Sequence, residues 1–386
     1  MNIVIVSDDF PDKGHQSYVF VEQLVIALCD IGINVSVIAP QSLTKILIRG
    51  KELYPKYKQK QTKTGNKYEV YRPFYFSAGS TGRLRQLYFT NLRRAVERVL
   101  NKKGVNNIDV LYGHFWHNAN TMVKFALKYN KPLFVACGEG DNAIDELLDA
   151  LKQSDKQELI ETVNGVISVS SENKTRVLQY GLADEKSIVV IPNAVDKSIF
   201  RQQDKYLIRQ KLGIKESDFV ICFVGSLINR KGSNRLSEAI TQINDPSIKS
   251  FFIGKARSYD DCTPNCPGII FLNTLPHDKL PEYLNASDVF VLPTLNEGCC
   301  NAIVEAISCG VPVISSNLPF NDDILDSTNS IRINPMNVDE IKEAIIKLKN
   351  DTLLRERLSE GALHKSQSLS IEERAKKILE FIVSKS

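Results

Sequence analysis

Short apolar runs alternate with amphipathic stretches along almost the whole chain. The runs are rich in valine and isoleucine and lack strict polar alternation, which is typical of strands covered on both faces. The first series of predicted strands comprises residues 2–6, 34–39, 109–112, 132–137, 165–169 and 187–191. The second series comprises residues 219–224, 250–253, 269–272, 289–292 and 312–315.

Helical patterns fill the intervals between these strands, as in residues 18–31, where apolar residues form one stripe. Alternating strands and helices predict an α/β protein with doubly wound parallel sheets. Eleven strands are many for one open sheet, so we expect two domains, residues 1–192 and 205–369. A proline-bearing turn and a polar stretch mark the boundary between them. The pattern Ser370-x-x-Glu373 predicts the start of a final helix that runs to about residue 383.

Composition excludes several classes of protein. Of the 386 residues, 43% are apolar and 24% are charged, close to the globular average and unlike a disordered or collagen-like chain. Every apolar stretch is interrupted well before the ~18 residues that a membrane span needs. Asp8 and Asp9 interrupt the first apolar run, which argues against a signal peptide. The eight cysteines lack a framework spacing and are typical of reduced thiols, so we expect a soluble, cytoplasmic protein.

Positive charge is concentrated in residues 41–105. The net charge of the chain is +4, but this segment contains 16 Lys and Arg against three Glu. It also contains nine aromatic residues: Tyr54, Tyr57, Tyr68, Tyr71, Phe74, Tyr75, Phe76, Tyr88 and Phe89. Aromatic rings with cations suit an anionic membrane surface, which we favour over single-stranded nucleic acid. The alternative is a solvated lysine-rich loop with one charged helix face.

Two segments carry candidate chemistry. In the first, a predicted strand ends at Gly225 and a short loop carries Arg230 and Lys231 before the next helix. Ligands bind beyond the carboxyl ends of such strands, and glycine, two cations and a helix N-terminus favour a phosphate or diphosphate. The alternative is an ordinary strand–helix turn with exposed basic residues.

In the second segment, the strand 289–292 precedes a loop with Glu297 and Gly298, and Asn301 is the predicted N-cap of a helix over 302–309. Glu297 and Glu305 could accept hydrogen bonds from vicinal hydroxyls of a sugar. Backbone N–H groups of Cys299, Cys300 and Asn301 could meet a phosphate. Two glutamates at this spacing are common by chance, so the spacing alone is weak evidence.

The block as a whole is more specific. Glu297-x7-Glu305 lies within EGCCNAIVEAISCGVPVI, VGSLINRKG precedes it, and VIPNAVDKSIF occupies 190–200. Together with ISVSSENKTRVLQYG at 167–181 and LPEYLNASDVFVLP at 280–293, it resembles the group 1 (family 4) retaining glycosyltransferases along almost the whole chain. The resemblance implies a GT-B fold, with two Rossmann-like domains facing a cleft and the last helix, 370–386, crossing back to the first domain.

The resemblance also implies roles for single residues. Arg230 and Lys231 match the pair that holds the donor diphosphate, Glu305 the glutamate on the ribose, and Glu297 the one on the transferred sugar. The donor-binding set so implied is Gly14, Gly225, Arg230, Lys231, Gly298, Cys299, Cys300, Asn301 and Glu305. Gly14 matches the glycine of a loop that closes over the donor phosphates. The family generally needs no bound metal, and the donor would be a sugar carried by UDP or GDP.

One departure concerns the reaction centre. The family commonly has His-Gly-x-Asp after the strand that matches 132–137, where this chain reads CGEGD. Asp141 is retained, and the missing histidine contact is absent or supplied by another residue such as His114; His117 also follows the strand ending at Tyr112. The alternative for either imidazole is a structural role.

Two weaker patterns are set aside. Gly138-x-Gly140-x-x-Ala143 fits a loose dinucleotide fingerprint, but no acidic residue ends a following strand about 20 residues on. Cys262 and Cys266 could suggest zinc, but a structural site needs four ligands and only His277 is near.

We therefore expect a nucleotide-sugar-dependent glycosyltransferase of the hexosyltransferase type that needs no cofactor and does not bind nucleic acid. A lipid-linked or polymeric acceptor on the inner membrane face, as in bacterial surface polysaccharide synthesis, is the preferred hypothesis. A soluble transferase making a small saccharide, and a nucleotide-sugar-binding protein without turnover, are the alternatives.

Overall fold

The computed structural model describes residues 1–12, 17–77, 85–139 and 141–386. The chain forms two compact units. The first unit contains Met1–Ile191 and Glu372–Ser386, and the second contains Pro192–Ile371. The C-terminal helix thus belongs almost wholly to the first unit, where Phe381 packs edge-on against Phe134 with ring centroids 6.1 Å apart.

The first unit is built on an eight-stranded sheet. The strands of this unit are β1 (Asn2–Val6), β2 (Asn34–Ile38), β3 (Gln41–Ser42), β4 (Tyr57–Gln61), β5 (Lys67–Tyr71), β6 (Phe74–Tyr75), β7 (Val110–His114), β8 (Leu133–Cys137), β9 (Val163–Ser168) and β10 (Ile188–Val190). β3 and β6 form a short separate pair, and the other eight strands form the sheet. The order is β10-β9-β8-β7-β1-β2-β5-β4, and all neighbours are parallel except β4 and β5.

Helices connect these strands. They are α1 (Val19–Asp30), α2 (Leu43–Arg49), α3 (Arg85–Lys103), α4 (Trp116–Asn120), α5 (Val123–Tyr129), α6 (Asp141–Ala150), α7 (Gln153–Thr162) and α8 (Ser171–Gln179), with the C-terminal helix Ile371–Lys385 added from the end of the chain. The central strand β1 has four consecutive buried apolar residues, Ile3 to Val6. Burial on both faces explains why its sequence lacks alternation.

The second unit has a six-stranded, wholly parallel sheet. Its strands are β11 (Phe219–Val224), β12 (Ile248–Ile253), β13 (Ile269–Asn273), β14 (Val289–Leu292), β15 (Val313–Ser316) and β16 (Ser330–Ile333). They are ordered β13-β12-β11-β14-β15-β16, the order of a dinucleotide-binding doubly wound sheet. The helices are α9 (Lys205–Leu212), α10 (Ser233–Ile243), α11 (Leu280–Ala286), α12 (Asn301–Ser308), α13 (Val338–Asn350) and α14 (Thr352–Ser366), and the C-terminal helix is α15 (Ile371–Lys385).

The predicted doubly wound α/β class is confirmed, and all eleven predicted strands are present within a few residues of their expected bounds. The structure adds five strands, β3 to β6 and β16. The strand β4 reads YKQKQ, with no aliphatic residue, and alternates between exposed and half-buried positions. A solvated lysine-rich loop was one alternative for residues 41–105, whereas pairing with β5 makes β4 an edge strand.

A buried ion cluster fixes α9 to the sheet of the second unit. Asp288, just before β14, accepts hydrogen bonds from Lys205 Nζ at 2.5 Å, Arg209 Nη2 at 2.6 Å and the backbone N–H of Val220 at 2.7 Å. Its side chain is 9% exposed. Burial acts to raise the pKa of Asp288, but the charges of Lys205 and Arg209 outweigh it and hold that pKa below 3.8.

Within the described ranges, no helix combines the length and the apolar composition needed to cross a membrane.

Candidate functional site

The two predicted donor-binding loops of the second unit meet where the strand order of its sheet reverses. β11 and β14 are neighbours in the sheet, although β12 and β13 come between them in the sequence. Ligands of open α/β sheets bind outside the carboxyl ends of the strands at such a switch point. The loop after β11 contains Gly225, Arg230 and Lys231, and the loop after β14 contains Glu297 and Gly298. The topology therefore brings both segments to one edge of the sheet.

Hydrogen bonds join these two loops. The backbone N–H of Leu295 donates to the Arg230 carbonyl at 2.8 Å. Arg235 in α10, which is 5% exposed, donates from Nη2 to the Pro293 carbonyl at 2.9 Å and from Nε to the Pro335 carbonyl at 2.7 Å. Nothing in the sequence distinguishes Arg235 from an exposed helix arginine, so this support for the site was missed.

Glycines allow the loops to approach each other. Gly232 has φ +78°, and a Cβ there would lie 2.5 Å from the Pro293 carbonyl oxygen. A Cβ on Gly254, which follows β12, would lie 1.8 Å from the carbonyl oxygen of Gly225. Because these are backbone contacts, a side chain at either glycine would push the loops apart.

Gly232→Ala is expected to lower the free energy of unfolding by about 2–4 kcal/mol, from a left-handed backbone conformation plus overpacking. The matched control is Gly213→Ala, because Gly213 has φ +71° but nothing within 4 Å of its added Cβ. The control should cost about 1–2 kcal/mol. Urea unfolding of both variants measures the difference, and equal losses would show that the contact with Pro293 is not tight.

Two cations share one carboxylate at the switch point. Lys231 Nζ contacts Glu297 Oε1, and Arg230 Nη1 lies 3.0 Å from the same oxygen. The Thr294 hydroxyl donates to Glu297 Oε1 at 2.9 Å. The side chains of Lys231 and Glu297 are each 13% exposed, whereas that of Arg230 is 45% exposed. The cluster offers positive charge to an anion and a fixed carboxylate to hydroxyl groups.

Burial and neighbouring groups act in opposite directions on Lys231. Burial lowers its pKa, but Cys300, whose thiol ionises only at high pH, and the carboxylate of Glu297 outweigh burial and raise it above 10.5. The Lys231 side chain is therefore cationic at neutral pH. Burial is also the main reason why the pKa of Cys300 is raised to about 11. Cys300 is therefore a neutral thiol at neutral pH.

The helix beside these loops starts one residue earlier than predicted. Asn301 is the first residue of α12 rather than its N-cap, and Cys300 precedes the helix with φ −75° and ψ 111°. The Cys300 carbonyl accepts the N–H groups of Ile303 at 3.1 Å and Val304 at 3.2 Å. Cys299 and Cys300 are both buried, and the Cys299 carbonyl accepts the Asn193 amide at 2.9 Å. Packing of the two cysteines thus outweighs the capping preference of asparagine.

Glu305 projects from α12 and is paired with a histidine. Its Oε1 lies 2.7 Å from Nε2 of His277, and the Glu305 side chain is 8% exposed. Burial lowers the pKa of His277, but the hydrogen bond and charge of Glu305 outweigh it and hold that pKa above 6.5. The sequence suggested His277 only as a metal ligand, because a contact across 28 residues leaves no local pattern.

The first unit has its own cluster beyond β1 and β7. His117 Nε2 lies 2.5 Å from Asp8 Oδ1, and the Tyr18 hydroxyl donates to Asp8 Oδ2 at 3.2 Å. Burial acts against both charges, yet the pKa of Asp8 is lowered by His117 and the pKa of His117 is raised by Asp8. The two side chains form an ion pair at the switch point of the first sheet.

His114 has a different environment. It is 6% exposed, and its ring lies 5.4 Å from Phe20 and 4.5 Å from Phe115, centroid to centroid. Neither ring nitrogen has a hydrogen-bond partner among the residues described. Burial, followed by the charge of Arg374, lowers the pKa of His114 to about 3, so the ring is neutral at neutral pH. Of the two histidines, His117 is the one joined to a carboxylate.

The segment that departs from the family pattern contains a buried acid. Glu139 accepts the N–H of Trp116 at 2.6 Å and that of Gly138 at 3.0 Å. Burial raises its pKa above 4.5. The predicted Gly14 and the side chain of Asp141 lie outside the described part of the structure, so their roles stay predictions.

Across the described ranges, no group of three or more histidine, cysteine or acidic side chains could hold a metal ion. Cys262, one of the two cysteines that could suggest zinc, has its Sγ 3.5 Å from Asp260 Oδ1.

Two family models match the chain. The model described as Glycosyltransferase Family 4 matches residues 18–198, and the model described as Glycosyl transferases group 1 matches residues 204–365. Together they span most of both units. The chain belongs to the group 1 glycosyltransferases.

Several named glycosyltransferases are similar to this chain. A putative teichuronic acid biosynthesis glycosyltransferase, TuaC of Bacillus subtilis, is 24% identical over 92% of this chain and 90% of the relative. A UDP-Gal:α-D-GlcNAc-diphosphoundecaprenol α-1,3-galactosyltransferase of Escherichia coli is 30% identical over 49% of this chain and 52% of that protein. HepE of Anabaena, solved in complex with UDP-glucose, superposes with a TM-score of 0.72 at 18% identity and covers all of both chains. The GT-B fold class is thereby confirmed.

Proposed function

We propose that this glycosyltransferase transfers a sugar from a nucleotide-sugar to a hydroxyl of a lipid-linked saccharide, with retention of anomeric configuration, in bacterial surface polysaccharide or glycolipid synthesis. The observation that carries the proposal is the contact of Arg230 and Lys231 with Glu297 at the switch point of the second sheet. Glu305 follows in the second turn of α12, the helix that begins just after the same loop. Two cations and two carboxylates match the two halves of such a donor, a diphosphate and a set of sugar hydroxyls.

Each group has a task in donor binding. Arg230 and Lys231 bind the diphosphate, aided by backbone N–H groups between Gly298 and Asn301 at the start of α12. Glu305 accepts a hydrogen bond from the ribose, and Glu297 accepts one from the transferred sugar. Lys231 is the more buried cation, so its interaction with phosphate is less screened by water. UDP-glucose in HepE and UDP-galactose as donor of the Escherichia coli relative support a diphosphate carrier.

The reaction breaks the bond between the anomeric carbon and the diphosphate oxygen. The electron pair of that bond leaves with the nucleoside diphosphate. The acceptor hydroxyl attacks the same face of the resulting oxocarbenium-like sugar and gives its proton to the departing phosphate oxygen. Arg230 and Lys231 stabilise the negative charge as it develops. Because side chains supply this charge, no metal is required in the proposed mechanism, and no protein nucleophile takes part.

The acceptor is proposed to be membrane-borne because of residues 41–105. Several cations of this segment are used inside the first unit, in the pairs Lys58–Asp12, Lys60–Glu22, Arg72–Asp12 and Lys103–Glu69. Exposed apolar side chains remain around α2: Leu47 and Ile48 are each 77% exposed and Leu53 is 61% exposed. Lys51 lies between them and is exposed. These four residues, the α2 patch, combine apolar surface with positive charge.

The α2 patch is tested with vesicles that contain phosphatidylglycerol, at low salt. Leu47→Ser/Ile48→Ser should weaken vesicle binding by about tenfold or more, because each buried leucine or isoleucine contributes about 1.5–3 kcal/mol. Leu353→Ser is the matched control, since Leu353 is 79% exposed but lies on α14 of the second unit. Equal binding of the patch variant and the control would contradict the membrane role and leave a soluble acceptor.

Transfer itself is tested with UDP-, GDP- and ADP-sugars and a polyprenyl diphosphate-linked saccharide in vesicles. We expect one donor to yield an extended lipid-linked product whose anomeric proton has the coupling constant of the donor's configuration. Inversion would contradict the front-face route. Nucleotide binding without any product would favour the binding-protein alternative, which the missing family histidine near Gly138 motivates.

A further inference from the structure

The carboxylate of Glu305 is held from one side only. Its Oε1 lies 2.7 Å from Nε2 of His277, and Oε2 has no hydrogen-bond partner among the residues described. A carboxylate that is 8% exposed has little water around it. It is therefore a strong acceptor for any hydroxyl that reaches Oε2, provided that the side chain keeps its orientation.

His277 is itself fixed by its surroundings. It begins the short turn His277–Lys279 between β13 and α11. Its ring packs against Phe200, a fully buried residue, with centroids 5.0 Å apart. Phe200 lies near the start of the second unit, before α9. Three distant parts of the sequence thus meet around the ring of His277.

We infer that His277 is a positioning residue, which holds Oε1 of Glu305 so that Oε2 is directed to a ribose hydroxyl of the donor. This inference rests on the proposed function, because it takes Glu305 as the ribose ligand. A glutamate has three side-chain torsions, and fixing them before the nucleotide arrives removes part of the ordering cost of binding. Burial lowers the pKa of His277, and the hydrogen bond and charge of Glu305 outweigh burial and raise it, which agrees with this contact.

The test removes or replaces the hydrogen-bond donor at position 277. His277→Leu keeps apolar bulk against Phe200 but loses the donor, whereas His277→Gln places an N–H near the position of Nε2. His364→Leu is the matched control, because His364 is exposed on α14. Each protein is titrated by calorimetry with UDP, GDP and ADP and with the 2′,3′-dideoxy form of each.

We expect the wild type to bind one of the three nucleoside diphosphates and to prefer it to its dideoxy form. His277→Leu should weaken binding of the ribose form by about tenfold and leave the dideoxy form within about twofold, and His277→Gln should recover most of the loss. A purely structural role would weaken both forms equally. That result, or no effect on either form, overturns the inference.

Failure of the proposed function has a different signature. It would appear as a wild-type protein that binds none of the three nucleoside diphosphates, or one whose preference for the ribose form survives Glu305→Ala. If the preference is lost in Glu305→Ala and kept in His277→Leu, the donor site stands and only the role of His277 is wrong. Urea unfolding of His277→Leu and His277→Gln shows whether each variant is folded before the titrations are compared.

Discussion

Lys231→Ala is expected to lower kcat/KM for sugar transfer by about 10²–10³-fold, the cost of losing one preorganised group that stabilises charge developing in the transition state. Lys231 is the better placed of the two cations, with 13% of its side chain exposed against 45% for Arg230. A cation sheltered from water acts on the leaving diphosphate with less screening. Arg230→Ala should therefore have a smaller effect than Lys231→Ala.

Steady-state transfer assays at several donor concentrations measure this loss. Lys215→Ala serves as the control, because Lys215 is an exposed residue of the second unit away from the switch point. Its kcat/KM should equal that of the wild type. A Lys231→Ala enzyme that keeps near wild-type turnover would show that the charge of the leaving group is stabilised elsewhere.

Asp288→Ala is expected to lower the free energy of unfolding by about 3–5 kcal/mol. The substitution leaves Lys205 and Arg209 without their shared buried counter-charge and removes the acceptor for the Val220 N–H. Because the folded pKa of Asp288 is held below 3.8 by these cations, against the effect of burial, its contribution is present above that pH. The difference from the wild type should shrink as the pH falls below this value.

Urea unfolding between pH 7 and pH 3 measures both effects. Asp339→Ala is the matched control: Asp339 Oδ1 pairs with Lys342 Nζ at 2.5 Å, but its side chain is 69% exposed. A surface pair of this kind contributes about 1 kcal/mol or less. Similar losses for the two variants would contradict the claim that the buried cluster fixes α9 to the sheet.

The sequence was a good guide where local pattern and topology act together. Runs of valine and isoleucine predicted all eleven main strands, and the rule that ligands bind at carboxyl ends placed Lys231 and Glu297 at one sheet edge. β4 was missed because YKQKQ has no apolar face. Its lysines contact Asp12 and Glu22 inside the first unit, so part of the charge assigned to a membrane surface is structural.

Contacts between distant segments could not be predicted from local sequence patterns. His277 meets Glu305 across 28 residues, and Arg235 supports the loops from a helix position that resembles any exposed arginine. The sequence favoured His114 as the substitute for the missing family histidine. Whether that histidine is buried depends on aromatic rings from other segments, and the structure pairs His117 with Asp8 instead. The role of each of these side chains depends on its neighbours in the folded protein, and a single sequence does not show which residues those are.

The donor site is tested most directly by thermal unfolding of the wild type and of Glu305→Ala with UDP, GDP, ADP and NAD in parallel. A ligand at 100 times its Kd adds about 2.7 kcal/mol, a shift in Tm of several degrees for a protein of this size. We predict that one nucleoside diphosphate raises the Tm of the wild type and raises that of Glu305→Ala much less. Stabilisation by NAD alone, with no response to any nucleoside diphosphate, would contradict a nucleotide-sugar site at this switch point.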